Sequence, residues 1–467
     1  MNYLADLLKT SANKITSIFM FKLLAITVLI TQIFKVYLKA LLNIPPTSIE
    51  ALYFDLIIFV LLLFTACSMF LNFKNIITNK IDIIFFAFLL FGIFEIFWTY
   101  YQTEHLYISI FRFRLYFIPY LLYFSFRYFL RDSVVYDILK FVKTIMAVSF
   151  IWSIGEFILV NADIIAPKTI TAFLSKAITN PEVYPYGIVL IRGYGVMADV
   201  ISSGVFYIIG LTVFLPGMIY RQDLKAKLFV FLGISGVVYS LGKTAWALLF
   251  FVLLMMLLYH KNKRKLLIML LIVAVLEVCS LSGIYAMKTT VSNTSTVSNT
   301  SINRYFTFLT GVLKDNVNAF FSIAVYRYTN HLFDFLDGSI TAILFGHGYD
   351  VSFAESKLFN IKNIDEFSWS IGVGIFFVTL LRQLGIIGIS LYFLIFIILP
   401  LVIYFKNNNS LMINGIALSI VVAGLSSIHS NSIFRSGINV LVCFLLASLS
   451  VMHYELHIRE KESNKNA

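Results

Sequence analysis

The amino-acid sequence predicts an all-α polytopic membrane protein, with about twelve transmembrane helices and one large extracytoplasmic loop before the last three. Three observations predict it. The first is composition: of 467 residues, 60% are hydrophobic and 13% are charged, about half the roughly 25% charged share of soluble domains. Mean hydropathy is +0.88. A water-soluble fold of this length could not hide that much apolar surface, and a bilayer removes the need. The second is the recurrence of apolar runs of membrane-spanning length. The third is that Lys and Arg gather in alternate gaps between those runs.

A spanning helix needs about 20 mostly apolar residues. Candidate spans are 18–42, 50–71, 81–101, 107–130, 138–160, 195–220, 227–241, 244–260, 266–287, 386–405, 411–428 and 436–454. The chain is polar until Ile18, and no small-residue cleavage site follows the first run, so that run reads as a retained helix. The runs 227–241 and 244–260 are short and lie between two basic loops. They predict a hairpin whose arms, about 15 residues each, reach only roughly 22 Å. The expected organisation is an N-terminal bundle over 1–287, a large loop with short helices over 288–385, C-terminal transmembrane helices over 386–454 and a tail over 455–467.

Orientation follows from charge. Lys74 and Lys80, Arg127 and Arg131, Arg221 with Lys225 and Lys227, Lys261 to Lys265, Lys406, and the tail with Arg459, Lys461 and Lys465 mark one side. Loops 43–49 and 102–106 carry no Lys or Arg. The positive-inside rule puts the basic loops and both termini in the cytoplasm. The net charge of +12 is then a topology signal. No basic domain with interleaved aromatics suggests nucleic acid. Segments 161–194 and 288–385 fall outside. The second opens on a Ser/Thr/Asn run, Thr289 to Asn303, regains apolar character over Phe320–Phe335, and ends in a glycine-dotted stretch, Phe367–Leu384, that either dips into the membrane or lies along it. Cys67, Cys279 and Cys443 sit in apolar runs and read as core residues. No phosphate-binding glycine loop, metal-ligand spacing or Ser-His-Asp set is present, and the cytoplasmic loops are too short for a nucleotide-binding domain. Any chemistry belongs in or outside the membrane, without ATP.

Ionisable groups in spans are costly and commonly functional. Lys243, in Ser240-Leu-Gly-Lys-Thr-Ala-Trp246, lies at the outer tip of the short hairpin. It faces a cavity from the extracytoplasmic side, or it snorkels at an ordinary turn. Arg192 opens Arg192-Gly-Tyr-Gly195, with Asp199 two turns into the span. Arg327 and Arg304 lie in the large loop, and Arg112 and Arg114 lie near the outer face. Cations outside run against the charge rule and call for an anion. The planar guanidinium fork suits a diphosphate, while lipid headgroups or surface ion pairs are the plainer reading for Arg304, Arg112 and Arg114. The large loop also holds His331, Asp334, Asp337, Gly346-His-Gly-Tyr-Asp350, Glu355, Asp365 and Glu366.

At these residues the chain resembles the superfamily of O-antigen polymerases (the Wzy type) and O-antigen ligases. Members have about a dozen spans and one large outer loop before the last helices. A Ser-Arg-x-Ala-like turn between two short helices is matched by Ser240 to Trp246, with Lys243 in the arginine's place. An arginine followed at fixed distance by glycine is matched by Arg327 and Gly338. Arg192 with Gly204 is one residue longer. Leu344-Phe-Gly-His-Gly-Tyr349 resembles the family's Gly-x-Gly turn, and Gln383-Leu-Gly-Ile-Ile-Gly388 its glycine-punctuated lead into the next span. The matches are short and scattered over 192–388.

The resemblance implies a glycosyltransferase of the bacterial inner membrane acting on undecaprenyl-diphosphate-linked oligosaccharide as donor and acceptor, in O-antigen and lipopolysaccharide biosynthesis. It implies no metal or nucleotide cofactor, and it allows a chain-length regulator as partner. Arg192, Lys243 and Arg327 would hold the diphosphate, with Arg304, Arg112 and Arg114 as further anion contacts. A base must take the acceptor hydroxyl proton. His347, Asp350, Glu355 and Glu366 have the chemistry, and each also reads as a solvated loop residue. Two other functions stay open. A ligase would pass the glycan to lipid A-core, with His347 near its acceptor site. A lipid-linked oligosaccharide flippase or transporter fits the span number, but the two related halves usual in transporters are not evident. A passive scaffold gives the outer cations no purpose.

Overall fold

Helices follow the apolar runs. The computed structural model describes residues 2–42, 48–71, 77–103, 106, 109–110, 113–114, 117–161, 164–165, 169, 182–183, 190–191, 195–197, 200–220, 223–240, 242–259, 339–348, 376–407, 410–427 and 436–466. In chain order these form α1 (Asn2–Ile33), α2 (Lys35–Leu41), α3 (Ser48–Leu71), α4 (Lys80–Thr103), α5 (Ile118–Phe129), α6 (Asp132–Asn161), β1 (Glu182–Val183), β2 (Leu190–Ile191), α7 (Val200–Tyr220), α8 (Leu224–Tyr239), α9 (Lys243–Tyr259), α10 (Ile340–Phe345), α11 (Phe376–Phe393), α12 (Leu399–Lys406), α13 (Leu411–Ser426) and α14 (Ser436–Asn466). A π-helical turn, Leu394–Ile398, joins α11 to α12. Among the described residues, four stretches are long and apolar enough to cross a membrane: Thr16–Ile33, Lys80–Gln102, Leu380–Lys406 and Gly437–Tyr454. Shorter apolar helices occupy Asp55–Phe70, Ser202–Met218, Thr244–Leu258 and Leu411–Ser426. The expected span 266–287 and most of the loop 288–385 lie outside the described residues.

One detail differs from the all-helical expectation. Residues 182–183 and 190–191 pair as a short antiparallel ladder, Glu182 opposite Ile191 and Val183 opposite Leu190. Within the run expected over 107–130, the described residues 109–110 and 113–114 are helical, and α5 starts at Ile118 with Pro119 in its first turn. Proline is favoured there because its missing N–H is one the helix start would leave unpaired anyway.

The centre is built from α7, α13 and α14, which are buried on nearly every side. A helix apolar all round belongs in the middle of a bundle. Small residues let the backbones approach closely, as in membrane bundles generally. A Cβ on Gly415 of α13 would overlap the Val213 carbonyl of α7, and Ser419 donates its hydroxyl to the Ile209 carbonyl at 3.1 Å. The outer helices present large exposed apolar side chains, including Phe19, Leu63, Phe97 and Phe250. Such a surface needs lipid rather than water.

Helix imperfections have local causes. Pro400 has no N–H for the Phe396 carbonyl, and the preceding turn relaxes to π geometry. Gly424 of α13 then packs against that Phe396 carbonyl. In α7, Pro216 lies inside the helix and frees the Thr212 carbonyl, close to where Gly415 approaches.

The two ends of the bundle differ. One gathers the start of α4, the end of α5, the starts of α6, α8 and α13, and the last apolar turns of α14. Exposed Lys80, Arg131, Lys140, Lys225, Lys227 and Lys406 fringe it. Inside it, fully buried Asp82 accepts hydrogen bonds from Arg127 Nε at 3.1 and 3.3 Å, from the Tyr123 hydroxyl, from Ser450 Oγ at 2.8 Å and from the backbone of Thr78 and Asn79. Asn79 caps α4 by accepting from the Asp82 N–H at 3.0 Å. It also donates to Ser450 Oγ at 2.8 Å. α4, α5 and α14 are thus tied together by one satisfied ion pair.

Candidate functional site

The opposite end carries two turns that only glycine can make. The first follows α10. Gly346 (φ 78°, ψ −172°) and Gly385 (φ 62°, ψ −170°) occupy a backbone region essentially closed to other residues. They also face each other. A side chain on Gly346 would overlap the Gln383 carbonyl, and one on Gly385 would overlap the Gly346 N–H and the Leu344 carbonyl. Gly348 (φ 80°) rests on Thr99 of α4, whose Oγ1 lies 2.7 Å from where a Cβ would be. The helix of α11 breaks at Gly385, and the chain at 346–348 fits the break. Residues 344–348 and Gln383–Gly388, distant in sequence, form one shelf.

His347 sits on that shelf between the glycines. Its N–H donates to the Arg382 carbonyl at 2.7 Å, and its ring is half-buried. Burial, then the nearby Arg382 guanidinium, hold its pKa below the ordinary 6.5. The imidazole is therefore neutral at physiological pH and able to accept a proton. Trp98 fixes the shelf from α4 by donating its indole N–H to the Gly346 carbonyl at 3.0 Å. Phe345 packs on Phe94 and Trp98, ring centroids 5.2 and 5.7 Å apart.

Glu95 lies one turn below Thr99 on the same inward stripe of α4, with Phe85, Phe88 and Gly92. It is fully buried, and neither carboxylate oxygen meets a hydrogen-bond partner among the described residues. A buried carboxylate without partners is costly. The sequence reading passed over it, although a glutamate inside Ile93-Phe-Glu-Ile-Phe97 was signal enough.

The second turn, 195–197, follows the Arg192 motif. Gly195 has φ 60°. Its N–H donates to Glu156 Oε2 of α6 at 2.8 Å, and its carbonyl accepts from the Tyr37 hydroxyl of α2 at 3.0 Å. Val196 N–H reaches the Tyr207 hydroxyl at 3.3 Å, and Met197 N–H reaches Ser203 Oγ at 3.2 Å. One turn into α7, Gly204 abuts the α8–α9 hairpin: a Cβ there would stand 2.7 Å from Ser240 Oγ and 2.8 Å from Ala245 Cβ. Tyr239 of the hairpin stacks on Phe157 of α6 at 4.8 Å. The hairpin was expected from the two short runs, and its arms are Leu224–Tyr239 and Lys243–Tyr259. The first turns of α7 and α9 are therefore neighbours. Lys243 is the first residue of α9.

Arg114 is in an ion pair, Nε to Asp55 Oδ2 at 2.9 Å, that ties its segment to α3. Arg112, Arg192, Arg304, Arg327, Glu355 and Glu366 lie outside the described residues, as do His331, Asp334, Asp337, Gly338, Asp350 and Asp365. Among the described residues no group of His, Cys, Asp and Glu could hold a metal ion. Cys67 and Cys443 are free thiols, and Cys279 is outside the description. No protein-family model, curated protein or solved structure matches the chain.

Proposed function

We propose that the chain polymerises undecaprenyl-diphosphate-linked oligosaccharide repeat units into O-antigen or a similar surface polysaccharide. The observation that carries this reading is the shelf. Two of the motifs that carry the resemblance pack directly on one another through Gly346 and Gly385, with His347 between them. In this reading about twelve crossings, including 266–287, span the bacterial inner membrane. The basic end and both termini face the cytoplasm, as the positive-inside rule requires. The glycine-built end faces the periplasm, beneath the large loop.

In the proposed reaction the acceptor hydroxyl attacks the anomeric carbon of the donor. The bond from that carbon to the diphosphate oxygen breaks, and undecaprenyl diphosphate leaves. His347, which sits on the shelf with its neutral form favoured, takes the acceptor proton, with Glu355 and Glu366 as the alternative bases. Negative charge grows on the leaving diphosphate, where fixed cations lower the barrier most. Arg192, Lys243 and Arg327 supply them. The N-terminus of α9 adds the positive end of a helix dipole at Lys243.

A deletion strain tests the reading by the gel profile of its surface polysaccharide. Loss of the polymerase leaves lipid A-core carrying a single repeat, with long chains restored by the wild-type chain. Lys243→Arg should restore them better than Lys243→Ala, and Arg327→Ala should not restore them. Normal chain length from Arg327→Ala at normal protein level removes Arg327 from the site. The placement of His347 on the shelf keeps a second reading, the ligase. Bare core in the deletion strain would select it.

A further inference from the structure

The basic end holds a groove that the proposed chemistry does not use. It lies between α6, α7 and α13 and encloses about 370 Å³, within the range of small-molecule sites. Leu139, Val213, Phe214, Met218 and Met412 make its walls. Its existence has a sequence cause. Gly217, the residue after Pro216 in α7, has no side chain to fill the space; a Cβ there would meet nothing within 4 Å.

The mouth of the groove is charged on one side only. Lys140 and Lys143, one turn apart on α6, line it, and residues at that spacing share a helix face. Lys140 is exposed, and Lys143 Nζ lies 5.5 Å from the Phe229 ring centroid of α8. Asp137, a turn before Lys140, has its carboxylate engaged by Lys22 of α1. Exposed Lys225 and Lys227 precede Phe229 on α8. Tyr136, 49% exposed, also lines the mouth, as aromatics do at the membrane–water boundary.

We infer that this groove binds an anionic membrane phospholipid, its phosphate held by Lys140 and Lys143 and an acyl chain laid against the walls toward Gly217. Charge complementarity selects this occupant. An apolar trough opening on paired lysines at the basic end of a membrane bundle matches a lipid that is anionic at one end and hydrocarbon along the rest.

The test is native mass spectrometry of the delipidated full chain, titrated with phosphatidylglycerol or with phosphatidylcholine of the same acyl composition. The expected result is one retained phosphatidylglycerol per chain, bound on the order of tenfold more tightly than phosphatidylcholine. Lys140→Gln with Lys143→Gln should abolish the preference while leaving weak binding of both lipids. Gly217→Phe, which fills the trough, should remove the bound lipid. Lys140→Gln alone, at an exposed position that folding tolerates, should narrow the preference and provides the check if the other variants do not fold. Equal binding of the two lipids by the wild-type chain, or dimer formation through this face in place of lipid uptake, overturns the inference.

Discussion

At the scale of single residues, the two ends of the bundle treat charge in opposite ways. Asp82 is buried and fully answered by Arg127, Tyr123, Ser450 and backbone N–H groups. Glu95, thirteen residues along the same helix, is buried and unanswered among the described residues. The first is structural, and the second has a reason only if something else comes to it. Glu95→Leu should therefore raise stability by about 1–3 kcal/mol, the usual penalty of an unsatisfied buried polar group, while long-chain polysaccharide is lost. Thermal unfolding in detergent and the gel profile measure the two effects. Normal polymer from Glu95→Leu would reduce Glu95 to a packing residue. His347 gives a pH prediction. Its folded pKa lies below 6.5, so as pH falls the unfolded chain takes up the proton first. The stability tied to neutral His347 is complete above the unfolded value and is lost as pH falls through the depressed one. Activity that needs the neutral ring has the same sign, and the acid limb of the wild-type profile should disappear in whatever activity His347→Gln retains. An acid limb unchanged in that variant assigns it to another group.

At the scale of elements, the sequence carried most where length and periodicity alone decide. α3, α4, α13 and the α8–α9 hairpin lie within a few residues of where hydropathy puts them. The glycine-dotted approach to Gly388 was ambiguous in sequence because a helix broken by one residue, Gly385, leaves no mark in hydropathy. The Asp82–Arg127 pair was not legible either. Its members are far apart in the chain, and each looks like an ordinary charge beside a basic loop until Ser450 completes the set. That pair makes an element-level prediction. Asp82→Asn should separate α4 from α5 and α14 at a cost of about 3–5 kcal/mol, because it strands the Arg127 guanidinium in the interior. Asp82→Leu with Arg127→Met should recover most of the loss. Unfolding measurements on both variants check this, and equal destabilisation of single and double variants would contradict it.

At the scale of the whole molecule, the membrane character and the basic end followed from composition and charge. The contact between the Gly346 and Gly385 turns did not, since nothing local in either motif says what packs on it. The position of α14 has a consequence for biogenesis. Its window Gly437–Tyr454 is 89% buried, and it packs against α1, α5 and α13, all of which leave the ribosome before it. Until α14 arrives, the faces that it covers have only lipid or insertion factors against them. Part of the core thus closes only when α14 is made, and a chain halted before it leaves those helix faces uncovered for quality control to recognise.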